Sequence, residues 1–406
     1  MDKKRVGAWA MFDFANSVYP AVMTTAIFPV YYVSYVVGGE GGEGEWWWGR
    51  ALGLSALIVA MSAPLLGAIA DRGGARKKLM LFYTLLCVVS VSMMTSLDAG
   101  MVLRGFILFV FANVGFESAL VFYNAYLPDI APVGKQGWVS GLGFGVGYLG
   151  SAVGLVMAIP FVAQDRIELV WILVAAFFLL FSLPAFIFLP PDRRSEMSIA
   201  SAARWGVSNF RSIVREVWRE KELRNFLIAF FFYIDGVLTI IAMAGVVATE
   251  TFGFDQADTI VLFLIVQFSA LAGAFALAKP TDRLGPKKVL NGVLLLWIVV
   301  GVSAFFIRDP RLFYGMAVIA GLGLGTTQAA SRTLMSSLIP AGRESEMFGF
   351  YALCGKSSSI IGPQLFGFVT LMAVGNQRPA FLVLTAFFIV GLVLLQRVKD
   401  PKAALS

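Results

Sequence analysis

Five ionisable side chains fall inside long apolar runs of this chain: Asp13, Glu117, Asp235, Arg332 and Lys356. A charge at the middle of a bilayer costs about 2.5 to 3.5 kcal/mol on insertion scales, so such groups face protein or water and mark where solutes or protons are handled. Asp13 shares a helical face with Asn16, Ser17, Pro20 and Thr24, and a polar stripe of that kind cannot face lipid. Asp13 lies two turns from the helix start, where it serves either as a ligand or as a cap that steadies a gate. Asn16 and Ser17 lie deeper and are the better ligand candidates.

Asn113, Glu117 and Asn124 fall roughly on one face of another run. Glu117 sits near mid-membrane, where desolvation favours the neutral carboxyl unless a cation is close. That suits proton coupling or pairing with a substrate amine; the alternative is a buried structural ion pair. Asp235 and Thr239 share a face. Gln328, Ser331 and Arg332 lie on one side of a helix about two turns from Pro340, so Arg332 reads as snorkelling or as pairing with a carboxylate. Lys356 opens the run Lys356-Ser357-Ser358-Ser359 and is the better anion partner. Carboxylates from the first half and a lysine from the second offer both signs of charge, as an amino-acid zwitterion requires. The same groups could neutralise one another when no substrate is bound.

Other chemistry is poorly represented. Histidine is absent, which removes the usual group that titrates near neutrality and most zinc chemistry. Cys87 and Cys354 are too few for a disulfide framework or a metal site. No nucleophile–base constellation is visible, so neither an enzyme nor a cofactor or metal is expected.

The elements that must position these groups are membrane helices. The chain is 58% hydrophobic and only 14% charged, with a mean hydropathy of +0.80, where a soluble chain carries roughly a quarter charged residues. A spanning helix needs about 20 apolar residues. Successive runs give twelve expected spans, at 7–37, 46–70, 77–97, 101–128, 137–163, 169–189, 223–250, 257–278, 287–307, 311–338, 345–374 and 379–396. The first run is too long for a signal peptide and carries Asp13 and Asn16, so it reads as a retained helix. Of the Lys and Arg residues, 24 fall on alternate loops with the two termini and six on the opposite loops. Both termini are therefore expected to be cytoplasmic, in a bacterial inner membrane. The +7 net charge follows from that bias and from a basic linker near anionic headgroups; no nucleic-acid partner is implied.

The chain is also a duplication. Asp71-Arg72-Gly73-Gly74-Ala75-Arg76-Lys77-Lys78 recurs as Asp282-Arg283-Leu284-Gly285-Pro286-Lys287-Lys288, 211 residues on. A second register at an offset of 208 aligns Pro132 with Pro340, and Gly134, Gly141, Gly147 and Gly154 with Gly342, Gly349, Gly355 and Gly362. Glycines at such steps let helices approach closely. At the same offset Lys356 matches Tyr148, so the halves differ there. The division expected is a six-helix half at 1–189, a linker at 190–222 and a second half at 223–406. In the linker, Trp205, Phe210, Ile213, Val214 and Val217 alternate with Arg211, Arg215, Arg219 and Lys221, as in an amphipathic interfacial helix. The loop from Gly38 to Gly49 combines glycines, Glu40, Glu43 and Glu45 with Trp46-Trp47-Trp48, which fits a flexible loop ending in an aromatic belt.

Gly67, Asp71 and Arg72 with Arg76-Lys77-Lys78, and the second copy Asp282-Arg283, resemble the signature loop of the major facilitator superfamily. The second copy has Ala278 in place of the leading glycine. Trp9, Asp13-Phe14-Ala15-Asn16-Ser17-Val18-Tyr19, Phe28-Pro29-Val30-Tyr31-Tyr32, Asn124 to Ala131 and Gln328-Ala329-Ala330-Ser331-Arg332 resemble the vacuolar amino-acid effluxer-like (autophagy-related permease) branch. The resemblance implies an all-α fold of two pseudo-symmetric six-helix halves and transport by alternating access, with amino-acid efflux, facilitative or proton-coupled, as the activity. A monomer that binds a small solute is expected, and the resemblance implies an Asp71 that partners the neighbouring end of the eleventh helix and nearby basic groups. A multidrug or metabolite exporter is the rival within the class, with Phe122, Tyr123, Tyr148 and Phe232 as aromatic candidates. A non-transporting scaffold or sensor is the rival outside it.

Overall fold

Apolar runs bounded by charged caps and glycine turns make helices throughout the computed structural model, which describes residues 1–38, 42–195, 197–358 and 361–399. Gly39, Glu40 and Gly41 of the first loop, Ser359 and the last seven residues lie outside the described residues. In chain order the helices are α1 (Lys3–Asn16), α2 (Phe28–Tyr31), α3 (Glu43–Arg72), α4 (Arg76–Met93), α5 (Val102–Asn124), α6 (Leu127–Ile130), α7 (Gln136–Ala163), α8 (Ile167–Phe188) and α9 (Ile199–Arg219). They continue with α10 (Lys221–Phe252), α11 (Gln256–Ala276), α12 (Ala278–Leu284), α13 (Pro286–Phe306), α14 (Pro310–Leu338), α15 (Glu344–Ser358), α16 (Ile361–Met372) and α17 (Arg378–Leu395).

The caps explain where helices begin. Asp2 accepts the Lys4 N–H at 2.9 Å ahead of α1, Asp309 accepts the Arg311 N–H at 2.8 Å in α14, and Asp255 and Asp258 form a reciprocal capping box at α11. The α3–α4 reversal needs Gly74, whose φ is +54°.

Ten described helices are long and apolar enough to cross a membrane, or eleven if the bent first span counts. That first span is not one straight helix. It contains π-helical segments at Pro20–Ala26 and Tyr32–Val37 and bends by 41° near Ile27. Pro20 and Pro29 each remove a backbone donor, which loosens the ladder there. The expected span 345–374 is described as α15 and α16, with residues 359 and 360 between them outside the description.

The chain forms two units. The first comprises Met1–Ile130, Val146–Val207 and Gly342–Gly349. Its core stacks Trp9 on Tyr123 at 4.6 Å and Tyr123 on Phe12 at 4.9 Å, and the Trp9 indole donates to the Tyr123 carbonyl at 3.0 Å. Phe28, Trp48, Phe109 and Trp171 form a second aromatic cluster. The C-terminal part of α7 packs on the first span through glycine, with Gly150 against the Phe14 carbonyl and Gly147 against Ser17.

The second unit comprises Ala131–Gly145, Ser208–Ala341 and Phe350–Ser406. In its core the Trp297 indole donates to Thr327 Oγ1 at 2.9 Å and stacks on Phe388. Phe230 stacks on Tyr351 at 4.1 Å, and the Tyr233 hydroxyl meets Ser331 Oγ at 2.8 Å. The buried hydroxyls of Thr327 and Tyr233 thus find partners inside the packed helices.

Candidate functional site

Within the first unit, the basic loop between α3 and α4 builds a charged latch. Asp71 ends α3 with its side chain only 3% exposed, and accepts the backbone N–H groups of Ser345 at 3.1 Å and Glu346 at 2.9 Å, in the first turn of α15. A carboxylate at a helix N-terminus satisfies orphan donors and meets the positive end of the helix dipole. Gly67, one turn earlier, lets α3 approach this close, because a Cβ there would strike the Ser345 carbonyl.

Arg76, in the first turn of α4, is the hub. Its Nε donates to Ser345 Oγ at 2.9 Å, Nη1 to the Ala125 carbonyl at 3.0 Å and Asp129 at 2.6 Å, and Nη2 to Asp71 at 3.2 Å and Glu344 at 2.8 Å. Five donors thus meet five acceptors, which an arginine fork can do and an ammonium cannot. The Glu344 carboxyl is held below the usual range: burial raises it, but the Gly342 N–H, its own backbone N–H, Arg76 and Arg193 outweigh that.

The linker crosses the latch. Asp192 accepts the Lys77 N–H at 2.6 Å, capping α4, and Lys77 Nζ donates to the Leu189 carbonyl at 2.8 Å. Arg193 reaches Asp129 at 2.7 Å and Glu344 at 3.2 Å, and Ser195 Oγ donates to the Arg72 carbonyl. The Arg72 guanidinium lies 3.5 Å above the Trp205 ring of α9, a cation–π contact.

The second unit repeats the capping in the other copy. Asp282 accepts the Gly137 N–H at 2.7 Å and the Trp138 N–H at 2.8 Å, at the start of α7. Gly137 and Trp138 are the 208-offset counterparts of Ser345 and Glu346, so the two loop acids hold equivalent helix starts. Ala278, which replaces the leading glycine, meets the bare Gly141 face of α7. Arg283 is exposed.

The intramembrane groups fall as follows. In the first unit Asp13 and Asn16 are buried and touch, with Asn16 Nδ2 3.5 Å from Asp13 Oδ1. The Ser17 carbonyl accepts Ser151 Oγ at 2.9 Å, and Asn113 donates to Ser55 Oγ at 2.8 Å. Glu117 is half-buried one turn beyond Asn113, within electrostatic reach of Tyr19. The hydroxyls of Tyr19 and Ser118 are buried with no hydrogen-bond partner among the described residues. Asn124 is half-buried at the last residue of α5.

In the second unit Asp235 is 1% exposed and accepts the Gly362 N–H at 3.0 Å and the Thr239 hydroxyl at 3.4 Å. Arg332, 2% exposed, donates to Ser140 Oγ at 3.0 Å and to the Ser140 carbonyl at 2.8 Å, and lies 4.0 Å over the Phe144 ring. Gln328 and Lys356 are half-buried on α14 and α15.

Sequence reading missed Ser345, Glu344, Asp129, Asp192 and Arg193 as latch residues. The repeat held a signal for the first, since Ser345 is the counterpart of Gly137 beside a helix start. The linker residues had none, because their partners are set by the chain's return path.

Comparison with known proteins follows this geometry. A family model described as vacuole effluxer Atg22-like matches residues 51–137 and 131–405. The chain belongs to the Atg22-like family. An uncharacterised transporter of the major facilitator type, YxiO of Bacillus subtilis, is 30% identical over 98% of this chain and 95% of its own length. Autophagy-related protein 22 of Coccidioides immitis is 24% identical over 94% of this chain and 77% of its own. Among solved structures, the human organic anion transporter MFSD10 superposes with a TM-score of 0.77 at 15% identity, covering 98% of this chain and all of that one. The transporter FucP in its outward conformation gives 0.71 at 14%, covering 98% of each chain. This Atg22-like chain therefore has the major facilitator fold and is a membrane transporter rather than an enzyme.

Proposed function

We propose that this Atg22-like transporter exports amino acids or related small metabolites by alternating access, coupled to protons through Glu117. The observation that carries the reading is half-buried Glu117 on α5 within electrostatic reach of Tyr19, whose buried hydroxyl has no hydrogen-bond partner among the described residues. A buried hydroxyl without a partner is rare, and within electrostatic reach of a carboxyl it fits a site whose hydrogen bonds change as the acid gains and loses a proton. Support for the substrate class comes from the family description and from the two signs of charge available to a zwitterion. Asp13, Asn16, Ser17, Asn113 and Asn124 in the first half, and Asp235, Gln328, Arg332 and Lys356 in the second, are the proposed substrate or coupling residues. Asp71, Arg72, Asp282 and Arg283 are the gating loops, with Gly67 giving the close approach. The halves are 1–189 and 223–406, joined by the linker at 190–222. The protein works as a monomer in a bacterial inner membrane, with both termini in the cytoplasm.

The test is Glu117→Gln in proteoliposomes. The variant keeps size and hydrogen bonding but fixes the neutral form, so it should lose transport driven by a pH gradient while retaining substrate exchange. Accumulation against a gradient in response to pH by the Gln variant would remove Glu117 as the coupling acid. A thermal-shift screen with amino acids, peptides and cationic drugs reads the substrate class, since a ligand of the native state raises apparent stability. Shifts with the drugs alone would favour the multidrug reading.

A further inference from the structure

The last turns of α9 carry Arg211, Arg215, Trp218 and Arg219 on one helical stripe, and all four are exposed. The opposite stripe, with Ala202, Ile213 and Val217, is buried. The apolar face of α9 is thus already packed on protein, yet a tryptophan 54% exposed remains among the arginines on the other face. Glu216 is half-buried and meets Ser212 Oγ at 3.3 Å, Glu222 accepts the Lys399 N–H at 2.5 Å, and Glu220 lies beyond the helix end. Only Glu220 separates α9 from α10, a 32-residue helix of membrane-spanning length. Connectivity therefore holds the stripe close to the bilayer surface. Arg224 of α10 donates to the Trp218 carbonyl at 3.1 Å and adds another guanidinium there.

We propose that this stripe docks on anionic phospholipid headgroups. Guanidinium forks match phosphate oxygens, tryptophan settles at the headgroup level, and basic clusters next to a membrane helix bind anionic lipid.

The test uses the full-length protein in nanodiscs, with Cys87→Ser, Cys354→Ser and a fluorophore on Ser212→Cys. A nitroxide-headgroup lipid reports the approach of α9. Replacing about a third of a neutral lipid by phosphatidylglycerol should raise quenching several-fold, and about 1 M salt should reverse it. Arg211→Gln with Arg215→Gln and Arg219→Gln should raise the anionic-lipid fraction needed for half-seating several-fold, whereas the triple Lys variant should keep most of the response. The proposal is overturned by equal quenching in neutral and anionic discs, or by an unchanged response in a Gln variant that melts like the parent in neutral discs. Competition by free glycerol phosphate at low concentration, which would mark a small-anion site, also overturns it.

Discussion

At the scale of single residues, Arg76 is the group on which the latch depends. Its five donors face three carboxylates, a hydroxyl and a carbonyl, so removing it strands several buried acids at once. Arg76→Gln should lower stability by about 3 to 5 kcal/mol, the usual loss when one partner of a buried ion pair is removed. Arg76→Lys should recover only part of this, and thermal unfolding in detergent checks both. Asp71→Asn keeps the shape but removes the charge that the α15 helix start and Arg76 both favour. It should weaken the latch by about 1.5 to 3 kcal/mol and impair turnover more than substrate binding. Wild-type transport rates in that variant would show that the carboxylate does not hold the gate. Glu344 sets the acid limit. Its carboxyl is depressed in the folded chain, so the stability it contributes is present above the ordinary glutamate range near 4.3 and is lost as pH falls through the lower folded value. The melting difference between the parent and Glu344→Gln should therefore be constant near neutrality and shrink only in strong acid. The loop carrying Asp71 was legible from the duplication, and its place at the α15 start was an expectation of the family resemblance. Asp129 and Arg193 were not, because each looks like an ordinary charge at a membrane boundary until the linker folds back.

At the scale of elements, glycine decides how close helices lie. Gly150 of α7 lies against the Phe14 carbonyl of α1, whereas Gly53 of α3 has no atom within 4 Å of where its Cβ would be. Gly150→Ala should cost about 1 to 3 kcal/mol through overpacking, and Gly53→Ala should gain about 0.5 to 1 kcal/mol from helix propensity. A matched pair of melting curves tests the contrast, and equal effects would contradict the packing described. The six- and seven-residue glycine steps announced this packing, since Gly147 and Gly154 meet Ser17 and Val18. The π-helical stretches of the first span were not legible. A continuous apolar run fixes that a helix forms, but the register of its hydrogen bonds around Pro20 and Pro29 depends on what packs beside it.

At the scale of the whole molecule, the side of the membrane on which each loop lies is open to a direct measurement. Glu45 and Lys78 are exposed residues in the first turns of α3 and α4, at opposite ends of the α3 span. Cysteines placed there, in a chain lacking Cys87 and Cys354, should react with an impermeant reagent from opposite sides, Glu45→Cys in intact cells and Lys78→Cys only after lysis. Labelling of both in intact cells would contradict the expected topology. The fold class itself was legible because hydropathy and the two repeat offsets are long-range signals that survive without any knowledge of contacts.

The first unit also has a history in time. Arg76 and its partner Glu344 are 268 residues apart in the chain, and the segment Gly342–Gly349 belongs to the unit that the first 130 residues begin. A ribosome adding about 5 to 20 residues per second leaves Asp71, Arg76 and Asp129 without that segment for on the order of ten seconds to a minute. During that interval the emerging chain presents a half-made charge cluster at the membrane surface, and any chain released before residue 342 keeps it permanently. Truncated products of this gene should accordingly be cleared far faster than the full-length protein. Pulse-chase comparison of chains ending at residues 335 and 350 would measure that difference, with Arg76→Gln expected to narrow it.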